Sequence, residues 1–81
     1  MASNIIEVSP LPEGTTVPEI REIFSAYSLD RVQIHKGAAY LLFTYPSEVE
    51  TLDFTFEDFK VGQLNNALIN PIMGEFTWPD P

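Results

Sequence analysis

Apolar and polar positions along this chain repeat with two different periods. Ile6 and Val8 alternate with Ile5, Glu7 and Ser9, the two-residue repeat of a strand with one side turned to a core. Pro10-Leu11-Pro12-Glu13-Gly14 then reads as a loop by composition. From Thr16 the period lengthens. Ile20, Ile23, Phe24 and Tyr27 stand at i, i+3, i+4 and i+7, which makes one apolar stripe on a helix and leaves Glu19, Arg21 and Glu22 on the wet side. Thr16 is placed to cap the backbone N–H of Glu19 while the Glu19 side chain reaches back, and Pro18 in the first turn costs no intrahelical bond. The pattern predicts a helix over about residues 17–28.

Alternation returns at residues 31–35, with Val32 and Ile34 on one side and Arg31, Gln33 and His35 on the other. Lys36-Gly37 marks a tight turn. The apolar run Ala38-Ala39-Tyr40-Leu41-Leu42-Phe43, closed by Pro46, reads as a buried central strand. The connection is too short for a crossover, so the two strands are predicted to pair antiparallel.

Past Ser47 the pattern supports three readings. Ser47-Glu48-Val49-Glu50 fits a capping box with a helix behind it. Leu52, Phe54 and Phe56 alternate with Thr51, Asp53 and Thr55, which is strand spacing. Thr55-Phe56-Glu57-Asp58 offers a later helix start, with Phe54 stapled onto Phe59. The third is favoured: an extended segment near residues 51–54, then a helix over about 56–69. Its apolar face would be Val61, Leu64, Ala67 and Leu68. Gly62 weakens it by ~1 kcal/mol relative to Ala, and Asn70-Pro71 ends it. Ile72 to Trp78 then reads as the closing strand, with Phe76 and Trp78 on one side, before a Pro79-Asp80-Pro81 tail.

The predicted order is strand, helix, strand, strand, helix, strand. This is the α+β, ferredoxin-like βαββαβ plan, an antiparallel four-stranded sheet with both helices on one face. Ile6, Val8, Val32, Ile34, Ala39, Leu41, Phe43 and Phe76 are expected to face Ile20, Phe24, Tyr27, Leu64 and Leu68. The 81 residues make a single domain, and 44% hydrophobic content is enough for one core rather than a disordered chain.

Charge changes the picture more than composition does. Twelve acidic residues stand against Arg21, Arg31, Lys36 and Lys60, for a formal net charge of −8. Such a chain repels a polyanion at long range, whereas nucleic-acid binders draw most of their affinity from Lys and Arg. A basic partner suits it better. Without cysteine there is no disulfide, thiolate nucleophile or Cys-ligated zinc. No apolar run approaches the roughly 20 residues of a membrane span, so an intracellular protein is expected, nucleus and cytoplasm not distinguished.

The Lys36-to-Phe43 stretch is a basic residue, Gly, then aromatic and aliphatic positions at fixed offsets. It resembles the longer signature motif of the RNA recognition motif (RRM) family. Ile6-Glu7-Val8-Ser9-Pro10-Leu11-Pro12 looks like the family's shorter signature strand and the loop after it, and residues 16–27 are similar to its first helix. The resemblance covers the whole chain and implies a sheet face that stacks single-stranded bases on two or three aromatics. Carried over by motif, those positions are Glu7, Ala38 and Tyr40, and only Tyr40 is aromatic. Two missing stacks forfeit roughly 2–6 kcal/mol, at ~1–3 kcal/mol each.

The resemblance with these departures implies a divergent member acting mainly through protein–protein contact, with weak single-stranded RNA binding. Its expected RNA- or partner-binding face is Ile5, Glu7, Arg31, Gln33, His35, Lys36, Ala38, Tyr40 and Leu42. An apolar patch there marks a contact surface or is covered by the chain's own tail. A second reading is a small acidic inhibitor of viral or phage type. It would present Glu48, Glu50, Asp53, Glu57 and Asp58 as phosphate mimics to a basic surface. A third is an ordinary RNA-binding RRM. Enzyme chemistry is not expected. His35 is a lone strand histidine, the acidic run lacks calcium-loop spacing, and no nucleotide-binding or nucleophile-elbow glycine motif is present. Acylphosphatases share the architecture, but the loop after the first strand here carries Glu13 rather than an arginine-bearing anion cradle. No metal or small-molecule cofactor is implied.

Overall fold

The computed structural model describes residues 4–51 and 67–79. Its elements run β1 (Ile5–Ser9), α1 (Val17–Ile23), β2 (Leu29–His35), β3 (Ala38–Phe43), α2 (Pro46–Thr51) and β4 (Leu68–Pro71). The four strands form one sheet in the order β2-β3-β1-β4, every neighbouring pair antiparallel. This is an α+β fold of the ferredoxin-like arrangement expected from the sequence.

Register follows the sequence pattern closely in the centre of the sheet. Lys36 and Gly37 both have positive φ, 49° and 77°, as a two-residue turn whose twist matches the flanking strands requires. That turn sets His35 opposite Ala38 and Gln33 opposite Tyr40. The same register carries Arg31 opposite Leu42, and a shift at Asp30 then brings Leu29 opposite Phe43. On the other side of β3, Glu7 lies opposite Tyr40 and Ile5 opposite Leu42.

The opposite face of the sheet carries the core. Ile6, Val8, Ala39, Leu41 and Phe43 are buried there together with Ile20 and Phe24 of the α1 turn, Val49 of α2, and Ala67 and Ile69. Val32, Ile34 and Tyr27 pack at its margin, and the Tyr27 ring meets Phe43 edge-on at 5.5 Å. Thr16 caps α1 as expected. Its hydroxyl oxygen accepts from Glu19 N at 3.4 Å, and its hydroxyl donates to the Glu19 carboxylate at 2.9 Å.

Several expectations about this fold are corrected. α1 ends at Ile23, not near Ser28, because the following N–H groups of Ser25 and Tyr27 turn back to oxygens only three residues earlier. The tightened turns still carry Tyr27 to the core. Residues 46–51 are helical, so a helix runs through the Ser47–Glu50 capping-box region and takes in Thr51, where the expected extended segment was to begin; residues 52–54 of that segment lie outside the described residues. Pro46 opens that helix, where its missing N–H costs nothing. Leu68 and Ile69 belong to a strand and not to the end of a helix over 56–69. Ala67 is buried as expected but lies in neither helix nor strand, and residues 56–66 of that expected helix, with Val61 and Leu64, lie outside the described residues, as does Asp53.

The closing strand is therefore Leu68–Pro71 and not Ile72–Trp78. Asn70-Pro71 reads as a helix stop, but β4 is an outer strand of the sheet, a position where a proline is tolerated. Leu68, expected in the core, lies opposite Ser9 and is 61% exposed. Phe76, also expected there, sits on the other face of the sheet.

Candidate functional site

Strand alternation and register bring eight of the nine expected face residues to one side of the sheet. Tyr40 is central, between Glu7 on β1 and Gln33 on β2. Leu42 lies between Ile5 and Arg31, and Ala38 lies beside His35. Lys36 is the exception, an exposed residue in the hairpin turn. Asn70 of β4, opposite Glu7, extends the face by register.

That face is covered in part, at Tyr40, Gln33 and Arg31, by the chain's own residues 76–79. The final backbone bond joining this end of the chain to the sheet among the described residues is Ile72 N–H to the Ile5 carbonyl, at 2.9 Å. Beyond it the chain turns through Gly74, at φ 85°, and crosses the sheet as a strap. The Phe76 ring lies on Tyr40, centroids 5.1 Å apart with the planes 38° from parallel. Trp78 meets Phe76 edge-on at 5.1 Å. The Arg31 guanidinium sits over the Trp78 ring, its Cζ 4.3 Å from the centroid.

Polar groups lock the same arrangement. Arg31 Nη2 donates to Gln33 Oε1 at 3.0 Å, and Gln33 Nε2 donates to the Pro79 carbonyl. Both ends of the Gln33 amide are thus committed, one to the sheet and one to the strap. Aromatic pairs of this geometry contribute about 0.5–1.5 kcal/mol beyond area burial. An exposed cation–π contact contributes about 0.5–1 kcal/mol, and a neutral hydrogen bond a similar amount. No single contact holds the strap.

Glu7 sets the electrostatics. The Ser9 hydroxyl donates weakly to its carboxylate at 3.5 Å. Burial raises the Tyr40 phenol above its ordinary value of 10.0, and the hydrogen-bonded, negatively charged Glu7 beside it raises it further. Tyr40 therefore stays protonated at neutral pH, a hydrogen-bond donor and a ring surface rather than a base.

Ala38 is 7% exposed, so the second of the three positions carried over from the RRM signature offers almost no surface. Glu48, from the acidic run, accepts from the Ser28 backbone N–H at 3.1 Å and ties α2 to the start of β2. Glu50 is exposed on α2. Phe76 and Trp78 are the residues of this site that sequence reasoning misplaced. Their alternation was visible, and it does turn both rings to one side, but the surface they meet is the far face of the sheet. No protein-family model matches this chain, and no curated protein does.

Proposed function

We propose that the chain is a divergent, non-enzymatic RRM-like module that works mainly by contacting another protein, with single-stranded RNA binding weak. The observation that carries this reading is the Tyr40 ring already covered by Phe76. The one aromatic left at the carried-over stacking positions is engaged by polypeptide. Glu7 puts a carboxylate beside it, and Ala38 offers no ring surface. A net charge of −8 adds long-range repulsion of phosphates. The protonated Tyr40, the committed Gln33 amide and the stacked Arg31 also supply no paired nucleophile and base, which supports a binding role over catalysis.

The test is a nuclear magnetic resonance titration of the full chain with a single-stranded oligouridine at low salt. Side-chain signals of Tyr40 and Gln33 are expected to stay in place. Saturable shifts there that persist as salt is raised would refute the reading. In parallel, the chain and its Leu42→Ala variant are immobilised against cell extract. Proteins whose capture depends on Leu42 are expected, and capture that is indifferent to it counts against the contact surface.

A further inference from the structure

The strap is attached to the sheet in a way that permits exchange. Past Ile72 its contacts, among the described residues, are side-chain contacts and the Pro79 carbonyl, with no strand ladder. Phe76, Trp78 and Pro79 are each only partly buried. Gly74 supplies a positive-φ corner with open space around it, between β4 and the strap.

The face beneath presents a defined set of receptors. The Tyr40 ring takes a phenyl ring, the Arg31 guanidinium takes an indole, and Gln33 Nε2 donates to the carbonyl of the residue after the indole. All three features are met within four consecutive residues, Phe76-Thr77-Trp78-Pro79. A segment of that pattern is what this surface holds.

We propose that the sheet face is a docking site for a Phe-x-Trp-Pro segment of a second protein, flanked by basic residues, and that residues 75–79 are the in-chain occupant it displaces. This rests on the reading of the chain as a protein-contact module and names the partner's chemistry. The basic flanks follow from charge. The chain carries −8, one of its carboxylates, Glu75, stands on the strap itself, and Glu7 lies beside Tyr40. A segment bearing lysines is attracted where the strap is not. The strap of a second copy has no such advantage, since both copies carry the same negative charge.

The experiment uses the full chain, wild type and with Phe76→Ala and Trp78→Ala together, which weakens the strap and leaves the sheet residues intact. The probe is a synthetic peptide carrying Gly-Glu-Phe-Thr-Trp-Pro between two pairs of lysines. The double variant is expected to bind it with saturable shifts at Tyr40, Gln33 and Arg31. Wild type should bind roughly tenfold more weakly, because only the open fraction is competent. Raising salt should lower both affinities, and alanine at the peptide's Phe and Trp should abolish binding.

A folded double variant that ignores the peptide overturns the proposal, and if it ignores oligouridine as well, the broader protein-contact reading stands. Oligouridine binding in place of peptide overturns both. Wild-type dimers that form by strap exchange would assign the site to a second copy and overturn the basic-partner assignment. If the double variant does not fold, Trp78→Ala alone is titrated. Loss of fold in that variant too shows that the sheet requires the strap, and overturns exchange.

Discussion

The contact between Phe76 and Tyr40 allows a quantitative test, because it joins a segment outside the sheet to the centre of the sheet. Phe76 is half-buried, so truncation to alanine forfeits about half of the ~1.5–3 kcal/mol that full burial of such a side chain provides. It also removes two ring contacts, with Tyr40 and Trp78, each 5.1 Å between centroids and each about 0.5–1.5 kcal/mol. Phe76→Ala is therefore expected to destabilise by about 2–4 kcal/mol, less whatever ordering entropy the released strap regains. A double-mutant cycle with Tyr40→Ala removes that ambiguity. The coupling between the two sites is expected to be at least about 0.5–1.5 kcal/mol, and larger if the strap leaves as a unit. Urea unfolding followed by far-ultraviolet circular dichroism supplies the four free energies. Ile20→Val, on the opposite face of the sheet, is the control and should add to Phe76→Ala within about 0.5 kcal/mol. If Tyr40→Ala and Phe76→Ala are equally additive, the strap does not lie on the sheet and the account of the covered face is wrong.

Three further outcomes follow from other parts of the fold. Tyr40 ionises above 10.0 in the folded chain, so above that pH the unfolded state gives up its proton first and stability falls as pH rises toward the folded value. Phenolate difference absorbance, wild type minus Tyr40→Phe, should show this late titration, and Glu7→Gln should bring it back toward 10.0. Lys36→Asn should stabilise the hairpin by about 0.5–1 kcal/mol in thermal unfolding, since asparagine tolerates positive φ better than lysine, and Gly37→Ala should destabilise it by about 1–2 kcal/mol. Val49→Ala should cost about 2 kcal/mol in urea, from two lost carbons and the cavity they leave in the core. A neutral result would place α2 away from the sheet.

The core of the fold could be read from the sequence because its signals are local. Thr16 and Glu19 fix one end of α1, and Lys36-Gly37 fixes the register of β2 on β3 and with it the faces of six side chains. The failures have a common cause. Phe76-Thr77-Trp78 alternates as a strand does, and alternation says only that two rings point the same way, not which surface receives them. Asn70-Pro71 is punctuation in either a helix or an outer strand, and only the pairing partner decides. The nine residues expected to bind were mostly gathered correctly, since a period of two assigns faces. Their cover was foreseen only as one of two options for an apolar patch, because the contacts span more than thirty positions of chain and leave no periodic trace.

The rims of the sheet bear on how this chain behaves when concentrated. β4 is four residues long and ends in Pro71, which has no N–H to offer to an added strand. β2 carries Asp30 and Arg31 near its start, at a register irregularity. Short length, a missing donor, charge and a bulge are the devices that stop one sheet from extending into the next. Neither border is a good template for fibril growth, so the sheet is spared sideways stacking with its own kind.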